Sequence, residues 1–191
     1  MKKRRYELKE RARRQAETRR RIVEAAVDLH TSVGPARTTV SAIADRAGVQ
    51  RHTVYAHFPD ERTLFRACSM HWRDLHPRPD PRRWLDLDDP ERRLRGVLLD
   101  LYAWYEEVES DLVVILRDAT LVAPAAEQLA EEAAATGALV VEVARGWPRR
   151  RTVRAAIGHA VEFETWHSLV RRQGLSRAQA VDAMLRFVQS V

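Results

Sequence analysis

The sequence predicts an all-α protein: a small three-helix unit at the N-terminus, a linking helix, and a larger helical domain behind it. Three observations predict this. Apolar residues recur at three- and four-residue spacing through most of the chain, the period of an amphipathic helix. Thr, Asp and Ser precede several of these stretches as caps, with Gly or Pro after them as stops. Between Thr39 and Phe58 two short helical patterns meet at a glycine.

The 191 residues suffice for one small and one larger domain on a shared helical scaffold. Apolar runs such as Val97 to Leu99 and Leu139 to Val141 fall far short of the roughly 20 residues that cross a bilayer. The basic N-terminus lacks the apolar stretch of a secretory signal. Cys68 is the sole cysteine, which rules out an intrachain disulfide and fits a reducing cytoplasm.

Charge is concentrated at the start. Residues 1–21 hold eleven Lys and Arg against Glu7, Glu10 and Glu17, a net +8, whereas the whole chain carries +6. Residues 1–13 are expected to be a basic, flexible arm. Such a run reads either as a solvated tail or as an arm lying along phosphates.

Ile22, Ala25, Ala26 and Leu29 make the apolar stripe of a first full helix. Val40, Ile43, Ala44 and Ala47 place a second, short helix after Thr38 or Thr39 as cap, and Gly48 supplies the left-handed backbone for a reversal. The third helix, Gln50 to His57, is short and polar; Val54 and Phe58, four apart, anchor one side. Its other side offers Gln50, Arg51, Thr53 and Tyr55, side chains that reach base edges and phosphates when a helix enters the major groove. An ordinary helical hairpin with a solvated face fits the same pattern. A fourth helix runs from Asp60, its cap, to about His76, with Leu64, Ala67 and Cys68 on one face and Pro77 beyond.

The segment Ile22 to Leu29 and the stretch TTVSAIADRAGVQRHTVYAHFPDERTLFRA from Thr38 to Ala67 resemble the DNA-binding domain of TetR-family transcriptional regulators, over about the first third of the chain. Gln50 departs from the Ser or Thr cap usual there, His52 from a small residue, and Glu61 from a phosphate-gripping lysine. The resemblance implies a DNA-binding domain at 14–66, an effector-binding and dimerisation domain at 67–191, and a linking fourth helix. It places Arg19, Thr39, Gln50, Arg51, His52, Thr53, Tyr55 and His57 on double-stranded DNA. It further implies a homodimer through the two C-terminal helices, a palindromic operator with half-sites about 34–36 Å apart, and repression relieved by an effector.

Beyond the Pro-, Asp- and Arg-rich stretch from His76 to Pro90, Trp84 and Leu85 are expected to pin the linker to the body. Asp89, Pro90 and Glu91 start a helix bearing Leu94 to Val108, and a separate short helix is expected after Asp111. A long helix from Pro124 ends at Gly146 to Pro148. One helix is then expected from about Arg149 to Gln173, with Val153, Ala156, Ile157, Ala160, Glu164 and His167 on one face and His159, Phe163, Trp166 and Val170 on another. Ser176 and Gln179 form a capping box for a last helix.

Leu101, Trp104, Tyr105, Leu116, His159, Phe163, Trp166 and His167 are candidates to line a largely apolar effector site, or they are plain core. No cofactor or metal is expected. Two other readings remain: a helical metal-dependent enzyme using Glu164 and His167, an E-x-x-H pair of the kind helical di-iron proteins use in two copies, and a ligand-independent DNA-binding protein. The chain has no second E-x-x-H, no H-E-x-x-H, no glycine-rich phosphate loop and no G-x-S-x-G, so no catalytic residue is assigned.

Overall fold

From Lys2 to Ser32 the chain has no Gly or Pro and is dense in Arg, Glu and Ala, and it forms one 31-residue helix, α1. The computed structural model describes residues 2–191, with side chains described from Tyr6 onward. Lys2, Lys3, Arg4 and Arg5 of the basic run therefore have their side chains outside the described residues. The expected flexible arm is helical over 2–13. Pairs at helical spacing, Glu10 with Arg13 at 3.2 Å and Arg20 with both Glu17 and Glu24 at 2.8 and 2.7 Å, suit that conformation.

A 3₁₀ turn at Pro35–Arg37 follows, then α2 (Val40–Ala47), α3 (Arg51–His57), α4 (Glu61–Leu75), a single helical turn α5 (Arg82–Leu85), α6 (Pro90–Asp118), α7 (Ala123–Val143), α8 (Arg151–Ala160), α9 (Phe163–His167), a wide π turn at Ser168–Arg172, and α10 (Arg177–Gln189). These elements divide into two compact units, one of residues up to 77 with 110–129, the other of 78–109 with 130–191. The chain passes between them three times. No helix among the described residues is long and apolar enough to cross a membrane.

In the first unit one apolar core joins Ile22, Ala26, Ile43, Ala44, Val54, Phe58, Leu64 and Phe65. At its edge Asp118, at the end of α6, accepts the Ala36 N–H at 3.1 Å, and Arg117 donates to the Val33 carbonyl at 2.9 Å. Gly34 lies between, at φ 101; a Cβ there would fall 2.2 Å from the Asp118 carboxylate. Here Gly is required on both counts.

In the second unit Trp84 lies over Gly96, where a Cβ would meet its ring at 2.2 Å, and donates from Nε1 to Asp100 at 2.6 Å. That pins the linker as expected. Arg93, buried, donates to the carbonyls of Leu87, Val143 and Arg145, closing the end of α7 with a side chain from α6.

Two expected elements differ. Helix α6 is continuous through Asp111 instead of breaking before it. Asp111 caps nothing, because its carboxylate accepts from Trp72 Nε1 at 2.7 Å. The expected helix 149–173 is three pieces: α8 ends at Ala160, Glu162 is extended at φ −79 and ψ 144, α9 restarts at Phe163, and the π turn follows. The hydroxyls of Tyr102 and Tyr105 donate to the Ala160 and Val161 carbonyls at 2.8 and 2.7 Å, satisfying the groups that the break leaves open. The two faces expected along one helix are therefore not continuous.

Candidate nucleic-acid interface and effector-site residues

The hairpin is held by local chemistry. Thr39 caps α2, its Oγ1 accepting the Ala42 N–H at 3.1 Å. Gly48 turns the chain at φ 63 and its N–H satisfies the last carbonyls of α2. Arg21 of α1 reaches over this turn and donates to the carbonyls of Ala47 and Gly48, while Arg46 pairs with Asp28. Neither clamp was evident from the hairpin's own pattern. The available signal was an Arg directly ahead of the Ile22 stripe.

Helix α3 then has two unlike sides. Val54 and Phe58 are each 1% exposed and fix it to the core. Gln50, Arg51, His52 and Tyr55 are exposed, with Thr53 and His57 half-buried beside them. Arg51 donates to the Tyr55 hydroxyl at 3.4 Å, so the two stand together one turn apart. Gln50 occupies the cap position without a side-chain cap bond, leaving its amide outward. Thr39 is exposed, and its hydroxyl oxygen accepts the cap bond.

The Arg19 guanidinium, expected on DNA, lies 4.4 Å over the Phe58 ring. It braces the end of α3. At the position where a lysine is usual, Glu61 opens α4; Asp60 caps that helix by accepting the Thr63 N–H at 2.6 Å, and this hydrogen bond lowers its carboxyl below the ordinary range. Arg62 pairs with Glu127 at 2.7 Å.

Inside the same unit His30 is half-buried beside Cys68, with Nδ1 to Sγ 3.3 Å, and near the ring of Phe65. Burial pushes the imidazole down to about 4 and the thiol up to about 12, so both are neutral at pH 7.

Of the eight candidate effector residues, seven lie in the second unit and Leu116 in the first. Trp104, Tyr105, Phe163 and Trp166 form a buried aromatic cluster with ring centroids 5.4 to 5.7 Å apart, and His167 stacks on Phe163 at 5.5 Å. Leu101 is half-buried, whereas His159 is exposed and turned to Thr165 at 3.2 Å and to the ring of Phe187. His159 is thus not a wall of that cluster; it lies in the last turn of α8, whose opposite side is packed. Trp166 is fully buried, and its Nε1 makes no hydrogen bond. The expected Glu164 and His167 pair is not formed: Glu164 is exposed, and His167 Nε2 lies 3.7 Å from Glu109, which Arg171 also holds at 2.7 Å. The turn at Glu162 rotates Glu164 out. Among the described residues no three His, Cys, Asp or Glu side chains are grouped to hold a metal.

Residues 22–68 match the sequence model of "Bacterial regulatory proteins, tetR family". That segment, α2 and α3 with the flanking parts of α1 and α4, is similar in sequence to the TetR-family domain. Over the whole chain the fold is similar to that of solved regulators. A TetR-like transcriptional regulator from Rhodococcus sp. RHA1 superposes with a TM-score of 0.61 at 18% identity, covering 90% of this chain and 93% of its own. The ketosteroid transcriptional regulator KstR2 of Mycobacterium tuberculosis gives 0.55 at 20%, covering 90% and 93%. The multidrug binding protein EbrR, solved with imidazole, gives 0.57 at 22%, covering 88% of each chain. No curated protein sequence matches the chain. The matched family model and two of these three structures are described as regulators.

Proposed function

We propose that the protein is a ligand-responsive transcriptional repressor that binds an inverted-repeat operator as a homodimer in the cytoplasm and is released by a small, largely apolar effector. The observation that carries this reading is the two-sided α3: Val54 and Phe58 locked in the core, Gln50, Arg51, His52 and Tyr55 outward. Such a helix presents donors and acceptors to base edges from a fixed seat.

For the dimer, the outer side of α8 has Ala155, Gly158 and His159 at helical spacing, and α10 leaves Phe187 42% exposed beside His159. Small residues allow a second copy to approach closely. Val153, Ala156, Ile157 and Ala160 are buried within the chain itself. For the effector, the aromatic cluster around Trp166 offers flat apolar contacts and one buried donor without a partner. A ligand preferring one arrangement of the dimer lowers operator affinity by its difference in affinity for the two.

Footprinting of the purified protein on DNA upstream of its own gene and its divergent neighbour tests this. A protected inverted repeat, occupied by two copies and lost on adding an effector from an apolar compound panel, is the expected result. Protection without any repeat symmetry contradicts it.

A further inference from the structure

Helix α3 has few means of fixing its own orientation. Val54 and Phe58, one turn apart and both buried, anchor it along one edge, and two anchors fix a line but not the tilt about that line. Its first turn adds little: Gln50, at the cap position, makes no side-chain cap bond, and Gly48, two residues ahead, turns the chain at φ 63 without a side chain to stiffen it. The N–H groups of Gly48 and Val49 close the turn onto α2, so the start of α3 goes where the end of α2 goes.

That end is held from α1. One amino group of the Arg21 guanidinium spans the carbonyls of Ala47 and Gly48, the second at 3.1 Å. These carbonyls lie in the last turn of α2, where a helix has no further N–H of its own to offer them, so a single side chain caps one helix and holds the approach to the next. The nearby acids Glu17 and Glu24 are taken by the neighbouring Arg20, at 2.8 and 2.7 Å. Gly48 leaves the guanidinium its room: a Cβ there would come within 2.9 Å of Arg21 Nη2. Arg46 pairs with Asp28 in the same turn, but both side chains are about half exposed and such a pair contributes little.

We infer that Arg21 is a positioning residue for base readout: by clamping the α2–α3 turn to α1 it sets the angle at which Gln50 and Arg51 meet the bases, without itself touching DNA. This rests on the reading of α3 as the DNA-binding helix. A planar guanidinium such as that of Arg51 reads a guanine by meeting two acceptors at once, so a small tilt of the first turn costs discrimination. Attraction to phosphates carries no sequence information and tolerates the same tilt. The charge of Arg21 is therefore separable from its role.

The test uses the full-length protein and a duplex recovered with it from a random-sequence pool. Affinities for that duplex and for its single-base-pair variants give discrimination as a ratio, which does not depend on the fraction of protein that is folded. Arg21→Gln removes the clamp and one charge; Arg20→Gln removes one charge at the next residue and leaves the clamp; Gln keeps helix propensity. In Arg21→Gln discrimination is expected to fall about tenfold at the base pairs that Arg51→Ala also relaxes, out of the roughly 5- to 150-fold that a good base contact supplies. The slope of log K against log salt should match that of Arg20→Gln. Combined with Arg51→Ala, Arg21→Gln should add no further loss at those pairs, because the clamp acts through Arg51. A merely structural Arg21 would lower Tm and leave every ratio in place. A direct phosphate contact would weaken binding to all sequences alike, with a slope shallower than that of Arg20→Gln by about 0.9. Either result overturns the inference. Arg51→Ala separates the two readings: wild-type ratios in Arg51→Ala sink the reading helix itself, whereas wild-type ratios in Arg21→Gln beside relaxed ones in Arg51→Ala sink only the clamp. Recovery of no duplex at all sinks both.

Discussion

Helices α3 and α9 are both too short to be stable alone, seven and five residues, yet they are held in opposite ways. Helix α3 is seated by two side chains and leaves most of its surface outside. Helix α9 buries Phe163, Thr165 and Trp166 and exposes Glu164. What surrounds α3 is local in sequence: a cap at Thr39, a turn at Gly48, an anchor at Phe58. What surrounds α9 comes from afar: tyrosine hydroxyls of α6 on the carbonyls of the preceding break, and Glu109 facing His167. A short helix whose supports are local spends its side chains on a partner; one whose supports are distant spends them on the core.

That contrast is broken most sharply by truncating each helix. Trp166→Ala should destabilise the protein by about 3–5 kcal/mol, the usual range for deleting a buried large aromatic, as measured by urea unfolding. Trp166→Phe removes the unpartnered N–H and keeps most of the ring, and should cost far less. If the two variants unfold alike, the cluster is not packed as described.

A smaller effect lies beneath the hairpin. Because His30 is held neutral, with its imidazole pushed down to about 4 from an ordinary 6.5, the unfolded chain binds a proton between those values that the native one does not. Stability should therefore be unaffected above about pH 6.5 and fall as pH is lowered from there toward 4, by up to about 3 kcal/mol. In His30→Asn the urea midpoint should lose much of this dependence on pH; an unchanged profile would assign it to other groups.

Gly48→Ala forces a side chain to a positive φ, and its Cβ would approach Arg21 Nη2 to 2.9 Å. About 1–2 kcal/mol of stability should be lost, together with operator affinity, because the turn aims α3. Thr39→Ala removes one cap and should cost about 1 kcal/mol, readable as a small drop in Tm with base preference intact.

The same division between local and distant supports decides what was legible in the sequence. Caps and stops announce themselves: Thr39, Gly48, Asp60 and the Ser176 and Gln179 box lie where their residue types imply. The outward set Gln50, Arg51, His52 and Tyr55 was legible because a two-anchor helix leaves no other side for it. Asp111 misled, since an Asp before an apolar run has the form of a cap, and only Trp72, 39 residues away, reveals its use. The break at Glu162 carries no Gly or Pro and is closed by Tyr102 and Tyr105 from another helix. The ring of Phe58 beneath Arg19 was not legible, because a positive charge near a hairpin does not show what lies under it.

The most direct test of the central claim is the base preference of Arg51→Ala beside its stability. The account predicts loss of about 1–3 kcal/mol of discrimination at one base pair in each half-site, with an unchanged Tm because Arg51 is exposed. A variant that binds the same sequences as tightly as the wild-type protein would contradict the assignment of the outer face of α3 as the surface that reads DNA.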